Sequence, residues 1–286
     1  MGRWYEKYLA AYEVDFEEAP EEAKEQVRNR LAEMYGAKEE PVASVVAIAH
    51  NEANRILACL WSLCDNVADL PFEIIVVNNN STDNTEGVLK NLGVRYYNEK
   101  KKGPGHARNC GLDHARGRYY LCIDSDTLYP KHYIQTMADG LAERDVVCAY
   151  GLWSFLPQEG YSRGNLMVYE LLRDSYLRLQ NIKRPELNVR GMVAAFRTAE
   201  ARKERFRTDI IRGEDGSLAL ALKKYGKLRF ITSRKARPIT GYGTLGADGG
   251  FGGALKARAI KALKSVTDLF HSKTHYEDKE DNIIKT

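Results

Sequence analysis

The chain has 286 residues, of which 44% are hydrophobic and 29% are charged, so it can bury a substantial core and has a globular composition. No stretch approaches the roughly 20 apolar residues that span a bilayer. The charged N-terminus is unlike a secretory signal, so we expect a cytoplasmic protein whose five cysteines stay reduced. The net charge of +4 combines an acidic segment, residues 1–40, with a basic remainder, which suits anionic partners such as nucleoside diphosphates, phospholipid headgroups or nucleic acid.

The first 40 residues predict a helical extension. Residues 19–36 place Pro20 at the first helical position and carry apolar residues at helical spacing. From residue 41 short apolar runs alternate with helical stretches, and after residue 240 many glycines precede a basic helical pattern. We therefore predict an extension over 1–40, a main domain over 41–240, and a glycine-rich loop with a basic helix and tail over 241–286.

The main domain begins with alternating strand and helix patterns. Buried strands are predicted at 44–49, 72–77, 94–97 and 118–123, with helices between them at 52–64, 83–92 and 105–115. The later half is less regular, and its predicted elements are strand pairing over 146–155, helices over 165–180 and 215–225, and a strand over 190–196. Strands joined by helices imply an α/β fold with a mainly parallel central sheet flanked by helices. Ligands bind such sheets at the carboxyl ends of the strands.

Polar clusters follow three of the predicted strands. They are His50-Asn51-Glu52, the segment 78–83, and Asp124-Ser125-Asp126. One such cluster would be read as a turn followed by a helix cap, because Asn, Ser, Thr and Asp are ordinary capping residues. Since parallel strands bring their carboxyl ends to one edge of a sheet, three clusters together predict a site.

Asp124 and Asp126 are the most specific signal. Alternate carboxylates directly after an apolar strand can hold a divalent cation, which would neutralise a diphosphate. An isolated Asp-x-Asp tripeptide is weak evidence, but its position after the run Arg118-Tyr-Tyr-Leu-Cys-Ile123 strengthens it.

Two further segments carry groups suited to transfer chemistry. Residues 100–109 combine three lysines, a glycine-containing loop and Arg108 in the following helix, which suits phosphate binding, although the lysines could equally form a solvated turn. Glu214 and Asp215 begin another predicted helix. These acids could cap the helix, or one carboxylate could be a general base that takes a proton from an acceptor hydroxyl.

Four ordered motifs resemble those of the family 2 glycosyltransferases. They are SVVAIAHNE, VVNNNSTDNT, GPGHARNCGLDHARGRYYLCIDSDTLYP and RGEDGSLALALKKYG, within residues 43–235. The resemblance implies the GT-A fold, in which a nucleotide-binding half precedes an acceptor-binding half. It also implies an inverting, metal-assisted transfer of a single sugar from a nucleoside-diphosphate donor, since no Gln-x-x-Arg-Trp motif of processive synthases is present.

The same resemblance implies roles for individual residues. The nucleotide-sugar would contact His50, Asn51, Glu52, Asn78, Asn80, Arg108, Asp124 and Ser125. Asp126, with Asp124, would bind Mn²⁺ or Mg²⁺; Asp215 would be the catalytic base, and Glu214 would bind the acceptor. Trp153 precedes the acceptor motif and could stack on a sugar ring or pack in the core.

One position departs from the family pattern. The second motif usually begins with Asp, whose carboxylate accepts a hydrogen bond from the base, and this chain has Asn78. An amide both donates and accepts, so a UDP-sugar is the expected donor while a GDP-sugar is possible. The acceptor would be a saccharide or a lipid-linked molecule.

Three other functions compete with this interpretation. A sugar nucleotidyltransferase would need a glycine-rich first turn, and the segment Ala49-His-Asn-Glu-Ala-Asn-Arg55 has no glycine. A decayed nucleotide- or carbohydrate-binding module would fit the asparagines at 78–80 but not the retained aspartates. Nucleic-acid binding is suggested by charge alone, without a recognised motif.

The C-terminal pattern raises the question of membrane contact. Residues 254–266 place Leu255, Leu263 and Val266 on one side of a predicted helix and lysines elsewhere. Such a helix could lie on an anionic membrane as a peripheral contact, or it could pack on the domain with a solvated basic face.

Overall fold

The computed structural model describes residues 3–157 and 163–241. Apart from Gly241, the glycine-rich loop and basic helix predicted for 241–286 lie outside the described residues, and so does the segment 158–162. Within the described ranges, no helix is both long enough and apolar enough to cross a bilayer.

The structure has eight α-helices and ten strands in its described ranges. In chain order they are α1 (Glu21–Gly36), β1 (Ala43–Ala49), α2 (Ile56–Cys64), β2 (Phe72–Asn79), α3 (Thr85–Leu92), β3 (Tyr96–Glu99), α4 (Pro104–His114), β4 (Tyr119–Asp124), β5 (Thr127–Leu128), α5 (Tyr133–Ala142), β6 (Val146–Gly151), β7 (Ser154–Phe155), α6 (Arg163–Lys183), β8 (Ala194–Arg197), α7 (Thr198–Glu204), α8 (Glu214–Leu222), β9 (Lys227–Ile231) and β10 (Ile239–Thr240). Short 3-10 helices cover Glu6–Ala11, Pro185–Asn188, Gly191–Val193 and Arg234–Ala236.

The central sheet has seven strands in the order β3-β2-β1-β4-β8-β6-β9. Only β8 runs antiparallel to its neighbours, since β1, β2, β3 and β4 pair in parallel and β6 pairs in parallel with β9. This arrangement confirms the predicted α/β class with a mainly parallel sheet. A second, three-stranded sheet in the order β5-β10-β7 lies beyond the end of β4.

The centre of the sheet is buried on both faces. Strands β1, β2 and β4 are near-continuous apolar runs, as expected where helices cover both sides of a parallel sheet. Helix α4 approaches β1 so closely that a Cβ atom on Gly111 would lie 2.4 Å from Cγ1 of Val46. Glycine at this position therefore lets the helix carry its side chains against the end of β4.

The N-terminal extension packs on the same core. The indole Nε1 of Trp61 in α2 donates to Oε1 of Gln26 in α1 over 2.8 Å, and the Tyr35 hydroxyl donates to the carbonyl of Ile74 over 2.7 Å. Tyr8 packs edge-to-face on the Trp61 ring. The extension thus packs on α2 and contacts β2 of the central sheet.

Several predicted elements were wrong in extent or in kind. The helix predicted from residue 52 begins at Ile56, because the backbone N–H groups of Glu52 and Ala53 donate to side chains of Thr85 and Asp83, which follow β2. The strand predicted over 190–196 is a 3-10 helix followed by the shorter β8. Helices α5 and α7 and strand β9 were missed.

Candidate active site

Three strands deliver the predicted polar clusters to one edge of the sheet. In the register of the sheet, Ile48 lies beside Asp124 of β4 and Ala49 lies beside Asn78 of β2. Strand β1 therefore separates Asn78 from Asp124, and the segment that follows β1 lies between the other two clusters.

The loops after β1 and β2 are locked together by side chains. Oδ1 of Asn51 accepts from the backbone N–H of Thr82 over 2.7 Å, and the N–H of Asn51 donates to Oγ of Ser81 over 3.0 Å. Nδ1 of His50 donates to the carbonyl of Asn79 over 2.8 Å. Asn51 and Asn80 both have a left-handed φ, 58° and 56°, a conformation that asparagine tolerates better than most residues. His50, Asn51 and Asn80 are exposed at this edge.

Two neighbouring asparagines of β2 have different tasks. Nδ2 of Asn78 donates to Oδ1 of Asn98 over 2.8 Å, while its Oδ1 is buried without a hydrogen-bond partner. Asn79 holds the basic loop: its Nδ2 donates to the carbonyl of Lys101 over 2.7 Å, and its Oδ1 accepts from the N–H of Gly103 over 3.0 Å. Asn79 belongs to the predicted polar segment 78–83 but was given no individual role, because its contacts with the basic loop depend on the fold.

Asp124 is fixed by three contacts. Its carboxylate Oδ1 accepts from Nη2 of Arg108 over 2.5 Å, its backbone N–H donates to the Tyr129 hydroxyl over 3.2 Å, and the Cys59 thiol lies 3.6 Å from its carbonyl. The Tyr129 hydroxyl in turn donates to the carbonyl of Met192 over 3.1 Å. Asp124 is thereby tied to the segment that precedes β8, while its side chain remains 33% exposed.

Arg108 is not placed as a surface phosphate ligand would be. Its side chain is only 1% exposed, and its Nη1 donates to the carbonyl of Ile123 over 2.8 Å. Its Nε lies 3.8 Å from Oδ1 of Asp215 without forming a hydrogen bond. The guanidinium therefore lies behind two carboxylates, because α4 is pressed against the sheet and points the side chain inward along β4. The expected direct contact with the donor finds no support in this placement.

Asp126 is bracketed by both ends of the described chain. The Tyr12 hydroxyl donates to its backbone carbonyl over 2.9 Å, and Thr127 Oγ1 donates to its Oδ1 over 3.0 Å. Oγ1 of Thr240 in β10 lies 3.5 Å from the same oxygen. Tyr12 and Thr240 were missed by sequence reasoning, which had no signal to bring together residues separated by more than a hundred positions. Ser125 is buried between the two aspartates.

Acidic groups are concentrated around Asp126. Burial raises the pKa of Glu52 to about 8, against the effect of Arg55 and with added repulsion from Asp126. Oε2 of Glu52 and Nε of Arg55 lie 2.8 Å apart, but their orientation does not make a hydrogen bond. Burial, followed by the charge of Asp124, also raises the pKa of Asp126. The positive charge of Arg55 thus does not offset the effect of burial and mutual repulsion on the pKa values of Glu52 and Asp126.

The donor set of this edge fits a hard divalent cation. Asp124 and Asp126 offer carboxylate oxygens, the ligands that Mg²⁺ and Mn²⁺ favour, and their mutual repulsion is what a cation would relieve. Within residues 3–157 and 163–241, no group of three or more His, Cys, Asp and Glu side chains is arranged around a common metal position. Mg²⁺ is commonly held by one or two carboxylates together with substrate phosphates.

Glu214 and Asp215, which the family resemblance predicts to serve the acceptor, lie at the start of α8. Glu214 and Asp215 are both buried, and Oδ1 of Asp215 has no hydrogen-bond partner. Burial and the charge of Asp215 raise the pKa of Glu214 to about 8. Burial raises the pKa of Asp215 as well, although Arg108 opposes the shift. A Cβ on Gly191 would lie 2.2 Å from Nη2 of Arg108 and 2.8 Å from Oδ2 of Asp215, so only glycine leaves room for this charge cluster.

Trp153 packs in the core. Its side chain is 7% exposed, and the guanidinium of Arg173 lies 4.3 Å from the ring centroid. Nη2 of Arg173 also donates to the Trp153 carbonyl over 2.5 Å. Of the two roles considered for Trp153, the structure therefore places it in packing, because one face of its ring is already covered by a cation.

The sequence matches the family model described as "Glycosyl transferase family 2" over residues 44–206, more than half of the chain. Among curated relatives, the glycosyltransferase GlyA of Streptococcus pneumoniae is 29% identical over 139 residues, which cover 46% of this chain and 19% of GlyA. The putative teichuronic acid biosynthesis glycosyltransferase TuaG of Bacillus subtilis is 29% identical over 126 residues, 42% of this chain and 50% of TuaG. The matched segment thus spans between about a fifth and a half of these relatives.

Solved glycosyltransferases share the fold. The mannosyltransferase PcManGT of Pyrobaculum calidifontis, solved with GDP-Man and Mn²⁺, is 21% identical to this chain and has a TM-score of 0.56. The match covers 92% of this chain and 75% of PcManGT. S. aureus TarS in complex with UDP gives a TM-score of 0.54 at 22% identity, over 70% of this chain and 60% of that chain. These similarities confirm the predicted GT-A fold. The family model, which matches more than half of the chain, shows that the chain belongs to glycosyl transferase family 2.

Proposed function

We propose that the protein transfers one sugar from a nucleoside-diphosphate donor to an acceptor hydroxyl, with inversion at the anomeric carbon, in the synthesis of a polysaccharide or another glycoconjugate. The observation that carries this proposal is the buried guanidinium of Arg108, which lies between the donor-side Asp124 and the acceptor-side Asp215. One cation thus joins the two carboxylates whose tasks must be coordinated in such a transfer.

The donor would bind at the edge formed by the loops after β1, β2 and β4. The buried, unpartnered Oδ1 of Asn78 can accept an N–H from a base, which both uracil and guanine provide. The exposed His50 and Asn80 would border the nucleoside, and the loop that Asn79 holds would face the diphosphate. A UDP-sugar is the expected donor, with a GDP-sugar as the alternative.

Asp126 and Asp124 would hold the divalent cation, Mn²⁺ or Mg²⁺. The cation would supply charge neutralisation for the departing diphosphate. The residues of the chain have the separate task of keeping these two carboxylates in place: Tyr12 and Thr127 hold Asp126, and Arg108 with Tyr129 holds Asp124.

Asp215 would be the base. Its Oδ1 has no hydrogen-bond partner, so it can accept the proton of an acceptor hydroxyl. The hydroxyl oxygen then bonds to the anomeric carbon as the bond between that carbon and the diphosphate oxygen breaks, and the nucleoside diphosphate leaves with the bonding electron pair. The raised pKa of Asp215 makes it a stronger base than an exposed aspartate. Glu214 would contact the acceptor.

Calorimetry tests the donor half of the proposal. UDP, GDP, dTDP and CDP would be titrated into the wild type and Asp126→Ala, with and without Mn²⁺. Metal-dependent binding of one nucleotide that is lost in Asp126→Ala supports the donor site and identifies the nucleobase of the donor. If the wild type binds none of them with or without metal, a decayed binding module becomes the better explanation.

Asp215→Asn separates the chemistry from binding. The amide keeps the size of the side chain but cannot take a proton, so nucleotide binding should persist while donor-dependent transfer falls by about 100-fold or more. If Asp215→Asn transferred sugar at the wild-type rate, Asp215 would not be the base.

A further inference from the structure

Helix α6 has a face of large apolar side chains that stay exposed in the described part of the chain, residues 3–157 and 163–241. Leu171 and Ile182 are 68% and 76% exposed, although residues of this type are normally buried. The exposed large apolar side chains of this helix are Met167, Val168, Leu171, Leu172, Leu179 and Ile182. They extend along about 22 Å of helix at 1.5 Å per residue, and we call this surface the α6 face. A contiguous apolar surface of this kind marks an interaction site.

The charges of α6 are sorted between its two sides. Its only acidic residues, Glu170 and Asp174, face the protein, where Arg237 pairs with both, over 2.9 Å and 2.7 Å. Arg173 is also directed inward and pairs with Asp174 over 2.7 Å. The exposed charged residues of the helix are Arg163, Arg178 and Lys183. The α6 face therefore combines large apolar side chains with positive charge and has no carboxylate of its own helix.

We propose that the α6 face docks on an anionic lipid bilayer. A helix that lies in the membrane interface buries an apolar stripe among the acyl chains while its basic side chains contact anionic headgroups. The α6 face has both features, and the chain after residue 40 is basic as a whole. This surface is separate from the C-terminal segment considered from sequence alone.

Charge argues against two other occupants. A second copy of the chain would bring another α6 face with the same positive residues against Arg178 and Lys183. The C-terminal segment 254–266 is also basic, with Lys256, Arg258, Lys261 and Lys264. Neither would complement the charge of this face, whereas anionic headgroups would.

Docking through α6 would position the candidate site relative to the membrane. The helix continues into the 3-10 helix Pro185–Asn188, where Nδ2 of Asn188 donates to the carbonyl of Leu177 over 2.8 Å. The same segment leads directly to Gly191 beside Asp215. Nearer the start of α6, Glu170 accepts from the backbone N–H of Phe155 in β7. Strand β7 belongs to the three-stranded sheet that also contains Thr127 in β5. If the proposed transferase function holds, a lipid-borne acceptor would therefore reach Asp215 from the docked side.

Vesicle co-sedimentation of the full chain tests the docking without donor or turnover. The probes are phosphatidylcholine vesicles with and without phosphatidylglycerol. We expect binding to the anionic vesicles that weakens with added salt, and binding at least about tenfold weaker for Leu171→Ser/Leu179→Ser and for Arg178→Glu. The matched control is Val67→Ser, which changes an apolar residue 46% exposed outside α6 and should bind like the wild type.

Two results would overturn the proposal. Unchanged vesicle binding in Leu171→Ser/Leu179→Ser would assign any membrane contact to another segment. Absence of vesicle binding by the wild type would also overturn it, and self-association in sedimentation velocity that this double variant abolishes would then make the α6 face a contact between copies. Circular dichroism melting of each variant shows whether it folds, and nucleotide calorimetry reports the donor site independently, so failure of docking and failure of the transferase proposal remain distinguishable.

Discussion

Nε of Arg108 lies 3.8 Å from Oδ1 of Asp215, while Nη2 of the same guanidinium lies 2.5 Å from Oδ1 of Asp124. The side chain that joins them is only 1% exposed. A buried ion pair is costly to assemble, yet removal of the Arg108 guanidinium would leave the buried carboxylate of Asp215 without its nearest cation. The geometry of the proposed donor and acceptor halves therefore depends on one residue that the substrates need not touch.

Replacement of Arg108 by Lys should damage both stability and transfer. A lysine ammonium cannot keep the planar arrangement that serves Asp124, Ile123 and Asp215 at once. We expect a loss of about 3 kcal/mol in the free energy of unfolding, measured by urea denaturation, with a fall in kcat. The control is Arg205→Lys in the exposed ion pair with Asp113, which should change stability by less than about 1 kcal/mol. Equal effects of the two substitutions would contradict the bridging role.

Gly191→Ala should disturb the same cluster from the backbone side. The added Cβ would lie 2.2 Å from Nη2 of Arg108 and 2.8 Å from Oδ2 of Asp215, so the guanidinium or the carboxylate must move. We expect kcat to fall by about tenfold or more, while nucleotide affinity changes less. Gly36→Ala is the matched control, because no atom lies within 4 Å of its added Cβ. Normal turnover of Gly191→Ala would show that the position of Arg108 does not limit transfer.

Tyr12→Phe should weaken metal-dependent nucleotide binding. The substitution removes the hydrogen bond to the carbonyl of Asp126, 2.9 Å long, but keeps the ring. A bond of this kind contributes about 1 kcal/mol, so we expect roughly fivefold weaker binding in the presence of Mn²⁺, measured by calorimetry. The control is Tyr35→Phe, which removes a hydroxyl that donates to the carbonyl of Ile74 and does not contact Asp126. It should cost similar stability and leave nucleotide affinity unchanged; the same loss of affinity in both variants would refute a specific role for Tyr12.

The raised pKa values of Glu214 and Asp215 predict how the free energy of unfolding depends on pH. Burial raises the pKa of Glu214 from 4.5 to about 8, so between these values the folded protein holds a proton that the unfolded chain releases. By linkage, this group lowers the free energy of unfolding as pH rises from about 4.5 to 8. Asp215 shifts in the same direction.

Glu214→Gln removes that titration, so its stability should fall less steeply over the same pH range than that of the wild type. Urea denaturation at pH 5 and pH 8 measures the two slopes. The control is Glu204→Gln, whose carboxyl has its pKa lowered by Lys224 and Tyr225 and should not flatten the decline. Equal slopes for the wild type and Glu214→Gln between pH 5 and pH 8 would contradict the assignment.

The sequence was informative where local pattern decides structure. Strands β1, β2 and β4 are continuous apolar runs, which a buried parallel sheet requires, and the polar residues after them had to meet at one edge. Strand β9 was missed although exposed Lys227 and Arg229 alternate with its apolar residues, which is the pattern of a half-buried strand. Its place beside β6 depends on tertiary packing rather than on local pattern.

The candidate site shows the same division. Asp124, Asp126 and Asp215 could be selected from spacing and position, since each follows or begins a recognisable element. The inward direction of Arg108 could not, because it depends on how closely α4 packs against β1, as the contact of Gly111 with Val46 shows. Tyr12 could not be selected either, since its partner Asp126 lies 114 residues away along the chain.

The contacts of Asp126 also bear on how the protein is made. Tyr12 reaches its carbonyl from the N-terminal extension, whereas Thr240 and the pairing of β10 with β5 come from the end of the described chain. During synthesis the Asp-x-Asp loop leaves the ribosome more than a hundred residues before β10 does. A nascent chain can therefore form the central strands early, but it completes the small sheet beside Asp126 only after Thr240 has emerged, so an incompletely translated chain would contain the motif without its finished support.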